Sequence, residues 1–122
     1  MKYVLQIRFN GADAAIAQLP ADERQRVVAE FEAILSTPGV LDGNQLQPAG
    51  TAATVTVYDG RTTITEGPAV ASSAALDGYY LYEAADRDAA VALAARVPAV
   101  RLGATVEVRP IVERVGPTIK RS

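Results

Sequence analysis

Tyr3-Val4-Leu5-Gln6-Ile7-Arg8-Phe9 near the start of the chain and Thr105-Val106-Glu107-Val108-Arg109 near its end decide the fold. Strand side chains alternate between two faces. Tyr3, Leu5, Ile7 and Phe9 therefore share one face, and Val4, Gln6 and Arg8 the other. The second stretch alternates in the same way and reads as the final strand. Working inward, Pro20 to Ser36 places Val27, Val28, Phe31, Ile34 and Leu35 at helical spacing. Pro20 suits the entry of that helix, and Asp22 and Glu23 suit its positive end. Thr37-Pro38-Gly39 stops it, because the residue before proline avoids helical geometry and proline offers no amide proton. A second strand is expected from Val40 to Gln47.

Thr54-Val55-Thr56-Val57-Tyr58, Asp59-Gly60 and Arg61-Thr62-Thr63-Ile64-Thr65 form a hairpin signal. Asp-Gly accepts the positive φ angles of a two-residue type I′ turn, which sets Tyr58 opposite Arg61. Glu66 to Ala75, small and weakly patterned around Gly67-Pro68, reads as a mobile, unpacked loop. Gly78-Tyr79-Tyr80-Leu81-Tyr82-Glu83 is aromatic and β-prone. Asp86 stands at an N-cap position before a helix with Val91, Ala94 and Val97 on one face, and Pro98 ends that helix. Gly11 and Gly43 read as turn residues, and no phosphate-binding glycine loop is present.

The order strand, helix, strand, hairpin, strand, helix, strand predicts an α+β fold: a ferredoxin-like βαββαβ sandwich with an inserted β-hairpin. Residues 1–115 are expected to form a single domain and 116–122 a frayed C-terminal tail. Two helices cover only one face of the sheet. The other face carries Gln6, Arg8, Glu107 and Arg109 on adjacent strands, and a partner sheet is expected to cover it.

The chain has 122 residues and a mass of 12.8 kDa, the size of one domain. Hydrophobic residues make up 49% and charged residues 21%, which supports a packed core and excludes disorder. Twelve Lys and Arg against 14 Asp and Glu leave a net charge of −2, a poor match to nucleic-acid phosphates. The absence of Cys removes disulfides, thiolate metal sites and cysteine nucleophiles. The absence of His removes the usual mid-pH general base, the commonest zinc ligand and the middle member of a hydrolase triad. The carboxylates show no clustered ligand spacing, so no metal and no cofactor are expected. Arg8 falls too early for the apolar heart of a signal peptide, and the longest apolar run, Ala89 to Ala95, is far short of the ~20 residues that span a bilayer. A soluble, cytoplasmic protein without membrane contact is the expectation.

In order and spacing, the chain resembles the DGPF branch of the YCII-related family along almost its whole length. The resemblance runs through Lys2-Tyr3-Val4-Leu5, Pro20-Ala21-Asp22-Glu23-Arg24, Gly39-Val40-Leu41 and Leu46-Gln47-Pro48. It continues through Thr54-Val55-Thr56-Val57, Asp59-Gly60-Arg61, Thr65-Glu66-Gly67-Pro68 and Gly78-Tyr79-Tyr80-Leu81. Ala94-Ala95-Arg96-Val97-Pro98-Ala99 and Val106-Glu107-Val108-Arg109-Pro110 close it. The chain also departs from the family pattern. The naming Asp-Gly-Pro-Phe is here Glu66-Gly67-Pro68-Ala69, Ala71 replaces the following acid, and Ser72-Ser73-Ala74 stands for the usual Thr-Lys-Glu.

The resemblance implies a bacterial protein whose protomers pair sheet to sheet as a homodimer, a dimeric α+β barrel. It also implies a small-molecule ligand and a regulatory link to an extracytoplasmic-function sigma factor. Related proteins carry a His and Asp pair suspected of catalysis, which a chain without His cannot form.

Several side chains are candidates for the site. Glu66, after the hairpin, is a candidate catalytic acid or base, a partner for Arg61, or simply a turn acid. Arg61 offers five donors to an anionic ligand or to Glu66, or lies against Tyr58. Tyr79, Tyr80 and Tyr82 bring phenols that donate hydrogen bonds or shift protons, or that serve the core, with Tyr80 assigned to ligand binding. Arg8, Glu107 and Arg109, with Gln6, line a polar ligand cavity or form charge ladders of ~0.2–1 kcal/mol per pair. Two function classes follow: a small-molecule-binding or regulatory module, and a small cofactor-independent enzyme using Glu66, Arg61 and a tyrosine.

Overall fold

The first strand realises its alternation as burial: Tyr3, Leu5 and Ile7 are buried, while Val4, Gln6 and Arg8 are half-buried on the other face. In the computed structural model the described residues are 1–8, 12–71 and 74–113. Expectations for Phe9, Asn10-Gly11, Ser72-Ser73 and the tail from 116 onward lie outside them. In chain order the elements are β1 (Lys2–Arg8), α1 (Ala12–Ala17), α2 (Ala21–Leu35), β2 (Val40–Gln45), β3 (Ala53–Tyr58), β4 (Arg61–Glu66), β5 (Gly78–Glu83), α3 (Arg87–Ala94) and β6 (Thr105–Pro110). Short 3-10 helices span Ala49–Thr51 and Pro98–Leu102.

The main sheet has the order β2-β5-β1-β6. Both β2 and β1 run antiparallel to β5, so they are parallel to each other, and β5 is likewise parallel to β6. Those two split β-α-β units make a ferredoxin-like α+β protomer. Leu5 stands opposite both Tyr80 and Val108, so one register delivers three strands' apolar side chains to one face. Ile34 from α2 and Leu93 and Ala94 from α3 close the core over Tyr3, Leu5, Ile7 and Tyr80. Full burial of a side chain such as Leu5 is worth about 1.5–3 kcal/mol. Among the described residues no helix is long and apolar enough to cross a membrane.

Caps and turns follow local chemistry. The Asp86 carboxylate accepts from the Ala89 amide at 2.9 Å and starts α3. At the end of α2, the Thr37 hydroxyl donates to the Ala33 carbonyl at 3.0 Å, joining the Ser36 amide, which donates to the same oxygen at 3.2 Å. Asp59 (φ 53) and Gly60 (φ 77) supply the hairpin turn, and Tyr58 pairs with Arg61.

Elsewhere the structure corrects the sequence reading. α1 has no counterpart in that reading, because six residues are too few to display a periodicity. β2 ends at Gln45, two residues short of the expectation. Gly43 is a strand residue and not a turn. A Cβ there would lie 2.5 Å from the Tyr80 ring and 2.8 Å from Leu35 Cδ2, so the glycine answers a close approach. The α3 core face is Ala90, Leu93 and Ala94, and Val91, about 100° further round the helix, is exposed. α3 has already ended at Ala94, and Pro98 opens the second 3-10 helix. The stretch expected to be unpacked contributes a buried Ala75. The hairpin forms its own two-stranded sheet, with Val55, Val57 and Ile64 59–67% exposed.

Candidate functional site

Arg24, Val28, Phe31 and Leu35 recur at spacings of four, three and four, so they form one stripe along α2. Val27 and Ile34, on the adjoining stripe, are buried, whereas Val28 and Leu35 remain 45% and 46% exposed. They are exposed because they wall a cavity. It has a volume of about 430 Å³ and lies between α1 and α2 on one side and β2 and β5 on the other. Ile16 and Ala17 of α1 add to the helical wall, Ala99 closes one flank, and Gly43, Gly78 and Tyr80 form the sheet side. The missing side chain at Gly43 leaves room for the Tyr80 ring beside Leu35.

Few charged groups reach this apolar space. The Arg24 guanidinium donates through Nη1 to the carbonyls of Ala17 at 3.3 Å and Leu19 at 3.2 Å, which fixes it just beyond the end of α1. Glu32 lies eight residues along α2, about 12 Å away along the helix axis. Asp77 and Gln45 reach the wall from the strand side. The Tyr80 hydroxyl donates to the Phe31 carbonyl at 3.3 Å, and burial pushes its pKa up to about 12, so the phenol keeps its proton across the neutral range.

A fork between Arg101 and Glu30 braces the flank. Arg101 Nη1 donates to Glu30 Oε2 at 3.1 Å and Nη2 to Oε1, tying the 3-10 helix that carries Ala99 to α2. The Arg101 hydrogen bond holds the Glu30 carboxyl below its ordinary range. Among the described residues no group of three His, Cys, Asp or Glu is placed to hold a metal ion.

The residues singled out in the sequence fall into three places. Tyr80 lines the cavity. Glu66 and Arg61 stand at opposite ends of β4, both exposed, with Glu66 opposite Ala53 and Arg61 opposite Tyr58. They are five positions apart, about 17 Å along the strand, and that odd spacing sets them on opposite faces, so within one chain they do not meet.

Arg8, Glu107 and Arg109 lie on the open face of the main sheet. Arg8 Nη1 donates to the Ala74 carbonyl at 2.8 Å, and its Nη2 is 3.7 Å from Glu107 Oε1. Arg109 stands opposite Val4. Gln6, between Glu107 and Tyr79, has a buried Oε1 with no partner among the described residues. Tyr79 accepts from Asn44 Nδ2 at 2.9 Å, and Tyr82 packs half-buried against the core.

The sequence reading missed Arg24, Val28 and Phe31 as cavity residues, although the α2 stripe itself was visible. An Arg in line with three apolar residues was the available signal.

A four-stranded antiparallel sheet in the order β2-β5-β1-β6, with its helices on one face, defines a ferredoxin-like α+β protomer of the dimeric α+β barrel kind. The YCII-related domain matches residues 1–114, and the chain belongs to that family. No curated protein matches it significantly.

Proposed function

We propose that this YCII-related domain is a small-molecule-binding module whose ligand occupies the cavity between α1–α2 and the β2–β5 edge. One observation carries the reading: a cavity of about 430 Å³, apolar on most of its wall, into which Arg24 and a few other polar groups project. Small-molecule sites have that size and that mix of apolar lining with sparse polar groups. The test is ligand-observed NMR with small planar aromatic compounds, repeated on Val28→Trp, which fills the cavity from α2. Saturable binding by the wild type that a folded Val28→Trp loses supports the reading. A panel without saturable binders, or binding indifferent to the filled cavity, overturns it.

The same proposal includes pairing through the open sheet face as a homodimer. That face presents Val4 and Leu81 among charged neighbours such as Arg109. Light scattering at micromolar concentration decides it, and a monomer there rules the pairing out. Placement in the DGPF branch rests on the ordered segments around Glu66-Gly67-Pro68. The regulatory role beside an extracytoplasmic-function sigma factor rests on that resemblance, and co-purification of the two proteins tests it.

A further inference from the structure

Resting on the cavity reading above, the geometry points to a monocarboxylate with a flat apolar body as the ligand, its carboxylate seated on Arg24. The guanidinium is already held in place: Nη1 alone satisfies the Ala17 and Leu19 carbonyls, so the other edge of the fork is left for a ligand. None of the ion pairs among the described residues involves Arg24. A cation fixed at an apolar wall with no carboxylate partner among the described residues suits a carboxylate ligand, because a planar guanidinium matches a carboxylate with two parallel hydrogen bonds.

The rest of the wall sets the shape of the ligand. From Arg24 the stripe continues through Val28 and Phe31 to Leu35, and Tyr80 closes that end of the wall with its hydroxyl bonded to the Phe31 carbonyl, so a flat apolar body lies along the stripe beside the ring. Glu32, two helical turns from Arg24 on the same wall, limits the charge the site accepts: a second anionic group beside it is repelled, so one carboxylate is favoured.

The test is calorimetric titration of the wild type with naphthoate and with naphthamide of the same ring position, a pair alike in shape and different in charge. Naphthoate is expected to bind about tenfold more tightly or better. Arg24→Gln should erase that preference while leaving naphthamide binding in place, and Arg24→Lys should retain part of it. The wild-type ratio alone decides the matter if a variant fails to fold. Equal affinities, both lost in Val28→Trp, overturn the carboxylate inference and leave the cavity reading standing. A naphthoate preference that survives both Arg24 variants places the cation elsewhere and also overturns it. Absence of saturable binding by either compound, or by any other planar aromatic, removes the cavity reading and this inference together.

Discussion

The four-stranded sheet and the hairpin are built from the same alternating grammar and end in opposite environments. In β1 every second residue is buried, whereas every residue of β4 is exposed, and β3 is exposed but for a half-buried Thr54. Alternation therefore reports a strand's two faces without saying whether anything covers them. What covers β1 is supplied from afar, by Ile34 and Leu93, whereas the hairpin is held mainly by its own ladder and by bonds at its base. There the Gly67 amide donates to the Ala52 carbonyl at 2.7 Å and the Thr54 hydroxyl to the Gly67 carbonyl at 2.7 Å. A two-stranded hairpin alone is marginal in water, so the two regions should answer very differently to substitution.

The largest difference is expected at Leu5, wholly buried at the centre of the sheet. Leu5→Ala should lower the unfolding free energy in urea by about 2–5 kcal/mol, the usual cost of a lost side chain plus the cavity left behind. A loss below about 1 kcal/mol would mean that the sheet centre collapses readily, and the contrast with the hairpin would fail.

Two glycines sharpen the contrast further. Gly43→Ala forces a methyl group against the Tyr80 ring and Leu35, and overpacking of that kind costs about 1–3 kcal/mol. At the hairpin tip, a methyl group on Gly60 would meet nothing within 4 Å, but the residue sits at φ +77. Gly60→Ala is therefore strained only through its own backbone, by about 1–2 kcal/mol. The two differ in kind as well as size: Gly43→Ala should also perturb ligand binding, because it shifts Tyr80 and Leu35 in the cavity wall. Equal effects of both on binding would contradict that assignment.

These residues also show what a sequence reveals. The strands, the Asp59-Gly60 turn and the Asp86 cap were legible because each rests on local chemistry that the chain states within a few residues. The cavity was not, for three reasons. Its α1 wall is a six-residue alanine-rich helix with no periodicity to read. Its glycine floor looks like a turn until Tyr80 is placed against it from another strand. Its cation, Arg24, reads as an ordinary polar residue on an amphipathic helix. Of the candidates that the sequence offers, Tyr80 does line the cavity, whereas Glu66 and Arg61, candidates to pair with each other, stand at opposite ends of one strand whose length keeps them apart.

Tyr80 gives a smaller, pH-dependent effect confined to the core. Burial raises its folded pKa from 10.0 to about 12, so between these values the unfolded chain has released the proton that the folded chain still holds. Stability is then full below pH 10 and is lost as the pH rises toward about 12. Tyr80→Phe should flatten that alkaline loss in thermal melts, while costing about 0.5–1.5 kcal/mol at neutral pH through the bond to the Phe31 carbonyl. An unchanged alkaline slope in the variant would assign the loss to another group.

The smallest effect is expected at the hairpin, and it is the one most able to break the comparison. Val57 is 67% exposed, on the same face as Val55 and Ile64, and it touches no part of the main core. At protein concentrations where the chain is monomeric, Val57→Ser should change stability by less than about 0.5 kcal/mol, since a surface substitution away from caps and packed side chains removes little. Serine also loses part of the β-branched preference for strands, which sets the direction of any change as a slight destabilisation. A loss approaching that of Leu5→Ala would show that the apolar face of the hairpin is covered in solution. If that loss grew with protein concentration, the cover would be a second copy of the chain. The two regions would then differ in where their packing partner comes from, the core finding its own within the protomer and the hairpin finding its own across an interface.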